Sequence, residues 1–283
     1  MLANRGLAAA LLLSLSADAA ASVFGRDDRL SISSDLTSSY APIGIVWADR
    51  MATGFLVDRC HVLTVRHAFL DDRTAVGRKA VFGTPPKDQA HWTATWGTVV
   101  ATGKRQPSDS YDQVRAADWA LLRLRDCLGA DFGYVELDPA PASDVGDVKS
   151  AGFPFDRRQI PGVTVDPSCR IVGSRSVLWL NDCAALAGSS GSPIFSETRS
   201  DGRTGLKVYA IQSAAYGVVG DSLESENSRA NIATPVAVIL PSIRKYLNFD
   251  RPARDHSRRK LSDALSTNMT RPATSDTITR ATR

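Results

Sequence analysis

The feature that most limits the fold is punctuation. Between positions 43 and 235 the chain is cut into twelve short apolar runs, rich in β-branched and aromatic residues and bounded by Gly, Pro, Asp or Asn. Runs of this length and composition suit strands, not helices. They fall into two sets of six: 43–48, 53–57, 61–65, 80–82, 92–101 and 119–124, then 148–152, 169–173, 177–180, 193–195, 206–213 and 230–235. Helical periodicity is clear only at 241–247, where Pro241 suits a first helical turn. With 43% apolar residues in 283, a sizeable core is available. These elements predict an all-β protein with a C-terminal helix, built as two packed antiparallel barrels or one large sandwich.

The ends read differently. Arg5, an apolar run of about ten residues at 6–15 and small residues at Ala17-Asp18-Ala19 predict a cleaved export signal over 1–22. That run is too short to span a bilayer, and no later stretch is long and apolar enough. Residues 23–42 follow as an N-terminal segment or propeptide, and 43–248 as the folded domain, divided into barrels at about 43–130 and 131–238 with a helix at 241–248. From Arg251 onward eight Arg/Lys face three Asp, a net of +5, which leaves the rest of the chain at −1. The basic character therefore belongs to the tail, 249–283, whose polar composition predicts disorder. It lacks interleaved aromatics, so no nucleic-acid partner is expected.

Export implies an oxidising compartment, secreted or periplasmic, where four cysteines permit two disulfides in three pairings. Cys60 and His61 are adjacent, but strand neighbours point to opposite faces and no second ligand cluster follows. No metal or other cofactor is expected.

Three segments carry chemistry. In "HVLTVRHAF" an apolar strand runs into His67, and histidine is the usual general base near neutral pH. In "AADWALLRL" Asp118 opens a run that reads as buried, where a carboxylate is costly unless paired; a histidine Nδ1–H is a suitable partner. In "GSSGSP", 188–193, small residues crowd as they do where backbone bends sharply and another molecule comes close. Ser190 there could serve as a nucleophile, with bare glycine backbone offering N–H groups to an oxyanion. Taken singly, each segment fits a structural role: a strand-end histidine, a turn aspartate, a flexible loop.

Together they resemble the His, Asp and Ser blocks of chymotrypsin-fold serine proteases, whose patterns are T-A-A-H, D-I/V/W-A-L-L and G-D-S-G-G-P. The order His, Asp, Ser matches, with separations of 51 and 72 residues, and the likeness runs from about position 43 to 247. The resemblance implies two six-stranded antiparallel barrels and an exported serine endopeptidase acting on proteins or peptides. His67 would be the base, Asp118 its orienting partner and Ser190 the nucleophile. The N–H groups of Gly188 and Ser190 would form the oxyanion hole. Ser213 would support Asp118, and Ala214, Ala215 and Tyr216 would form the edge strand that pairs with substrate. The alternative is a non-catalytic relative that keeps the fold for binding. An α/β-hydrolase would need its histidine after the serine, where only His256 lies, and no H-E-x-x-H is present.

The departures are informative. Ser189 replaces the trypsin-like aspartate that pairs with a freed N-terminus to shape the oxyanion hole, so activation by that ion pair is not expected. "G-x-S-G-S-P" and "GFP" at 152–154 resemble the bacterial branch that includes glutamyl endopeptidases. Gln212, however, stands where glutamate specificity relies on a histidine. Ala184 replaces the aspartate that selects Lys/Arg, so the pocket reads as uncharged and suited to small or apolar residues. Val65 and Arg66 replace Ala-Ala before His67; this bulk is harmless to catalysis if Arg66 faces solvent, and it is the sequence feature that favours the binding alternative. In such barrels the strand entering the histidine pairs with the strand after the aspartate, which implies Cys60–Cys127. Cys169–Cys183 would close a hairpin around 173–176.

Overall fold

A computed structural model describes residues 23, 27–32, 37–70, 75–84, 92–157, 159, 162–200, 203–214 and 230–247. The expected signal, 1–22, and the tail, 249–283, lie wholly outside the described residues. After a short strand β1 (Leu30–Ile32) and one helical turn α1 (Thr37–Tyr40) come six strands: β2 (Ile43–Trp47), β3 (Met51–Leu56), β4 (His61–Thr64), β5 (Lys79–Thr84), β6 (Thr93–Thr102) and β7 (Ala120–Leu124). They close an antiparallel barrel in the order β2-β3-β4-β7-β6-β5, the last joint being Val46 opposite Phe82. Ile43, Phe55, Leu63, Phe82, Leu121 and Leu122 on its strands are fully buried and belong to one continuous core. Burial on this scale is the main favourable contribution to the fold.

The second set is β8 (Glu136–Leu137), β9 (Asp147–Gly152), β10 (Val163–Arg175), β11 (Leu178–Asn181), β12 (Pro193–Ser200), β13 (Arg203–Ala214) and β14 (Asn231–Pro235). Strand β10 is long enough to serve two neighbours. Its first part pairs with β9 and its last with β11, with register shifts at 166/169 and 171/173 where it bends. From β11 the ring continues through β14, β13 and β12 and returns to β9 at Ile194 opposite Ser150. The molecule is thus two six-stranded antiparallel barrels, not a sandwich. Two short strands lie outside the second ring: β1 pairs with β10, and β8 runs parallel beside β13.

Among the described residues three further α-helices follow: α2 (Tyr111–Ala116), α3 (Gly129–Phe132) and α4 (Val236–Ile243). The C-terminal helix was expected at 241–248; it starts five residues earlier, with Pro235 as N-cap and Pro241 inside it. Its buried face is Val236, Ile239, Leu240 and Ile243, a helical spacing hidden in the continuous apolar run. Pro241 cannot donate to the turn before it, and the helix ends two residues later. None of the described helices is long and apolar enough to cross a membrane.

Both implied disulfides are present, Cys60–Cys127 and Cys169–Cys183. The first follows from the antiparallel β4–β7 pair, where Leu124 N–H donates to the Cys60 carbonyl at 2.8 Å. The second closes the β10–β11 hairpin, whose turn holds Ser176 at φ 55°.

Candidate active site

His67 sits on a 3-10 turn, Arg66–Ala68, immediately beyond β4. Asp118 reaches it from the short link between α2 and β7. Helix α2 begins with a reciprocal cap, in which Ser110 Oγ accepts from Gln113 N–H and Gln113 Oε1 accepts from Ser110 N–H. It ends in a turn where Asp118 N–H donates to the Arg115 carbonyl at 3.0 Å. The Asp118 side chain is completely buried, so its two oxygens need partners. Oδ1 accepts the His67 backbone N–H at 3.0 Å, and Oδ2 accepts His67 Nδ1–H at 2.7 Å. An ionised carboxylate can only accept, so the ring donates to it from Nδ1. Ser213 Oγ, on β13 of the other barrel, donates to the same Oδ2 at 2.9 Å.

Two arginines that the sequence reading passed over complete this surround. Arg105 and Arg115 each hold a guanidinium nitrogen 3.6 Å from Asp118, one toward each oxygen. Burial is the largest influence on the Asp118 carboxyl and raises its pKa. The charge and hydrogen bond of His67, the Ser213 hydroxyl and Arg115 together outweigh it, and the carboxyl is held below its ordinary range. Arg115 stands three residues before Asp118, a helical spacing that was visible in the sequence.

The segment 188–193 is bonded to both barrels. Thr53 of β3 donates its N–H to the Ser190 carbonyl at 2.8 Å and its hydroxyl to the Gly188 carbonyl at 2.9 Å. On the other side Gly191 N–H donates to Gln212 of β13 at 2.8 Å, and Gln212 N–H donates to Ser192 at 2.9 Å. Both glycines are obligatory. Gly188 has φ 94° and Gly191 φ 87°, conformations that side chains rarely adopt. A Cβ at 188 would lie 2.4 Å from the Phe153 carbonyl oxygen, and one at 191 would lie 2.1 Å from that of Thr53. The latter would also lie 2.9 Å from Thr64 Oγ1, three residues ahead of His67. Within the turn Ser189 N–H goes to Leu186 and Ser192 N–H to Ser189, whereas among the described residues no backbone carbonyl takes the N–H of Gly188 or Ser190. Ser189, in place of a charged residue, accepts from Leu186 N–H through Oγ at 3.3 Å.

The residues expected to set specificity are only partly described. Gln212 is buried and its amide donates to the Ala214 carbonyl at 2.9 Å; Ala214 ends β13 opposite Ile232. Ala215 and Tyr216 lie outside the described residues. Ala184 carries a neighbour that the reading of an uncharged pocket missed: its N–H donates to Asp166 Oδ2 at 2.6 Å. Asp166 is buried on β10. Burial, foremost, pushes its carboxyl up, only partly offset by the N–H groups of Ala184 and Ser168. His61, considered and rejected as a metal ligand, has its ring against Asp58, with Nδ1 2.8 Å from Oδ2.

Arg66 does not face solvent, the condition under which its bulk was read as harmless. Its residue is 4% exposed, and its guanidinium donates to the Gly103 carbonyl. Strand alternation ends at Thr64, and the tight turn that follows directs this side chain inward.

Residues 52–202 match the trypsin-like peptidase domain family, and the chain belongs to that family. It is therefore a peptidase, with proteins or peptides as its substrates. Among solved structures it is similar to a Glu endopeptidase in complex with MPD, at TM-score 0.57 and 15% identity over 79% of this chain and 98% of that one. It is also similar to the protease Anisep from Arthrobacter nicotinovorans, at TM-score 0.51 and 17% identity over 77% of this chain and 98% of that one. These likenesses fix the fold as that of the chymotrypsin-fold proteases. No curated protein matches.

Proposed function

We propose that this peptidase is an exported serine endopeptidase working through His67, Asp118 and Ser190. His67 Nε2 takes the Ser190 hydroxyl proton as Oγ bonds to the substrate carbonyl carbon. The negative oxygen that forms is met by the N–H groups of Gly188 and Ser190, which no backbone carbonyl among the described residues occupies. His67 then gives its proton to the leaving amine as the C–N bond breaks. An ester on Ser190 remains; water, deprotonated by His67, bonds to its carbonyl carbon, and the ester C–O bond breaks as His67 returns that proton to Ser190 Oγ. Asp118 stays ionised throughout and steadies the imidazolium. The sequence balances in protons and charge with no cofactor.

The observation that carries this reading is the convergence on Asp118 Oδ2, at 2.7 Å from His67 Nδ1 and 2.9 Å from Ser213 Oγ, beside a Ser190 loop bonded to Thr53 and Gln212. Two disulfides suit an oxidising compartment, in keeping with secretion or a periplasmic location. The bulk before His67, the sequence feature that favoured a binding role, does not face solvent but is taken up inside the fold, Val65 in the core and Arg66 against the Gly103 carbonyl. The test is a fluorophosphonate probe on oxidised protein. Labelling of wild type but not of Ser190→Ala is expected. Folded wild-type protein that stays unlabelled would instead make this fold a binding module.

A further inference from the structure

Four charged residues tie the segment ahead of the first barrel to the neighbourhood of Gly188. Arg29 is buried, its side chain 4% exposed, which for an arginine demands partners. Nε and one terminal nitrogen meet the two oxygens of Asp27 at 2.9 Å each. The terminal nitrogens also meet Asp156, at 2.7 and 3.3 Å. Arg157 closes the cluster from the other side, donating to the Arg29 carbonyl at 2.7 Å and to Asp27 Oδ2 at 3.1 Å. From this anchor β1 continues along the edge of β10, with Leu30 opposite Val165. The strap is thus held twice, by a ladder and by ion pairs.

Asp156 and Arg157 belong to a 3-10 turn, Phe155–Arg157, that follows β9. The same turn supports the glycine loop. Phe155 N–H donates to the Ala187 carbonyl at 2.8 Å. An ideal Cβ on Gly188 would stand 2.4 Å from the Phe153 carbonyl and 3.0 Å from the Phe155 ring, so the backbone at 188 is packed directly on this turn. Ser189 gives the loop no charge of its own by which to be held. Position 188 is instead fixed from outside: by Thr53 on one side and by 153–157 on the other.

We infer that Arg29 is a positioning residue for the oxyanion hole, holding the turn at 153–157 through Asp156 so that the Gly188 N–H stays aimed at the reacting carbonyl. The inference rests on the function proposed above. It makes the strap at 27–32 part of the working enzyme, not a removable pro-segment. It also supplies, at the outer end of the loop, the ion pair that Ser189 cannot make. A guanidinium suits the task because it bridges two carboxylates at once in fixed geometry.

The test compares Arg29→Ala and Asp156→Asn with wild type in the full chain. Arg125→Ala, in an exposed ion pair with Asp126, serves as control. Amide hydrogen exchange is followed over 153–157 and 186–190, alongside kcat and KM on a peptide ester. Both variants are expected to exchange about tenfold faster or more over 186–190. Their kcat should fall roughly 10- to 100-fold with KM little changed, less than the loss seen when a whole oxyanion donor is deleted. The control should alter neither. Should Arg29→Ala fail to fold, Asp156→Asn carries the test, since it leaves the Arg29–Asp27 pair intact. Unchanged exchange over 186–190 in the variants, with the strap itself exchanging freely, would mean that Arg29 anchors only the strap, and the inference would be abandoned. Wild-type protein that showed the coupling but neither labelled nor turned over would sink the peptidase mechanism and still support the coupling.

Discussion

Ser213 donates its hydroxyl hydrogen to Asp118 Oδ2 at 2.9 Å, from a strand of one barrel into the buried floor of the other. The same oxygen takes His67 Nδ1–H, so the imidazole is oriented by a carboxylate that is itself held from across the seam. A hydrogen bond to a charged group contributes about 1.5–3 kcal/mol. Ser213→Ala is therefore expected to lower kcat/KM roughly 10- to 100-fold. Asp118→Asn, which exchanges an acceptor for an amide and upsets the imidazole tautomer, is expected to lower kcat about 10⁴-fold. Steady-state kinetics on a peptide ester check both. If the serine change costs as much as the aspartate change, Ser213 is doing more than steadying Asp118.

Much of this arrangement was legible before the structure. All twelve expected strands are present, because β-branched and aromatic runs between turn residues have little alternative but a sheet. The chemical segments could be read from local signals: His67 and Asp118 adjoin apolar strands, and 188–193 crowds small residues ahead of β12. What escaped the reading lacked a local signal or had one that was overlooked. Strand β10 was expected at 169–173 because Asp166-Pro167-Ser168 interrupts its apolar pattern; the strand runs through this break by shifting register. The Ser110/Gln113 capping box of α2 was present in the sequence and passed over. Arg66 was read by its charge, when its direction is decided by the turn that follows β4. Arg29 and Asp156 lie 127 positions apart, and no local pattern reports a pair at that distance.

Arg66 links the two halves of the His–Asp pair from behind. It precedes His67, and its acceptor Gly103 packs so closely on Ala117 that an added Cβ would lie 2.3 Å from the Ala117 carbonyl oxygen. Ala117 in turn precedes Asp118. Arg66→Ala is expected to destabilise the protein by about 1–3 kcal/mol, the range for a buried polar group that loses its partner. It should also lower kcat more than it changes KM, since the loss falls on the base and not on substrate contacts. Urea denaturation and steady-state kinetics measure the two effects. Unaltered stability would mean that the Gly103 carbonyl finds another donor at no cost.

The two buried carboxylates near the seam should impose opposite pH dependences on stability. The Asp118 carboxyl is lowered from its ordinary value of 3.8, so its contribution is full above that value and lost as pH falls through the lower folded one. Asp166 is raised from 3.8 by burial, so the native state favours its protonated form and loses stability as pH rises from 3.8 through the raised value. Asp166→Asn removes that titration while keeping an oxygen for the Ala184 N–H. Its melting temperature is expected to exceed that of wild type at pH 7, with the advantage shrinking toward nothing as pH approaches 4. Melting curves across this interval decide it; an advantage independent of pH would exclude ionisation of Asp166 as the cause.

The disulfides should differ in worth, and for a reason tied to the site. Cys60–Cys127 spans 67 positions and encloses both His67 and Asp118, whereas Cys169–Cys183 spans 14 and closes one hairpin. Cross-linking removes more freedom from the unfolded chain as the closed loop lengthens, from about 3 kcal/mol for 15 residues to about 4.7 kcal/mol for 100. Replacing Cys60 and Cys127 together by serine is therefore expected to cost more stability than the same change at Cys169 and Cys183. It should also loosen the His67–Asp118 pair, because the bridge ties the start of β4 to the segment just past β7. Denaturation midpoints of the two double variants under oxidising conditions give the order directly. If the hairpin pair proves the more costly, loop length is not what governs their contributions, and local packing at the β10–β11 turn takes its place.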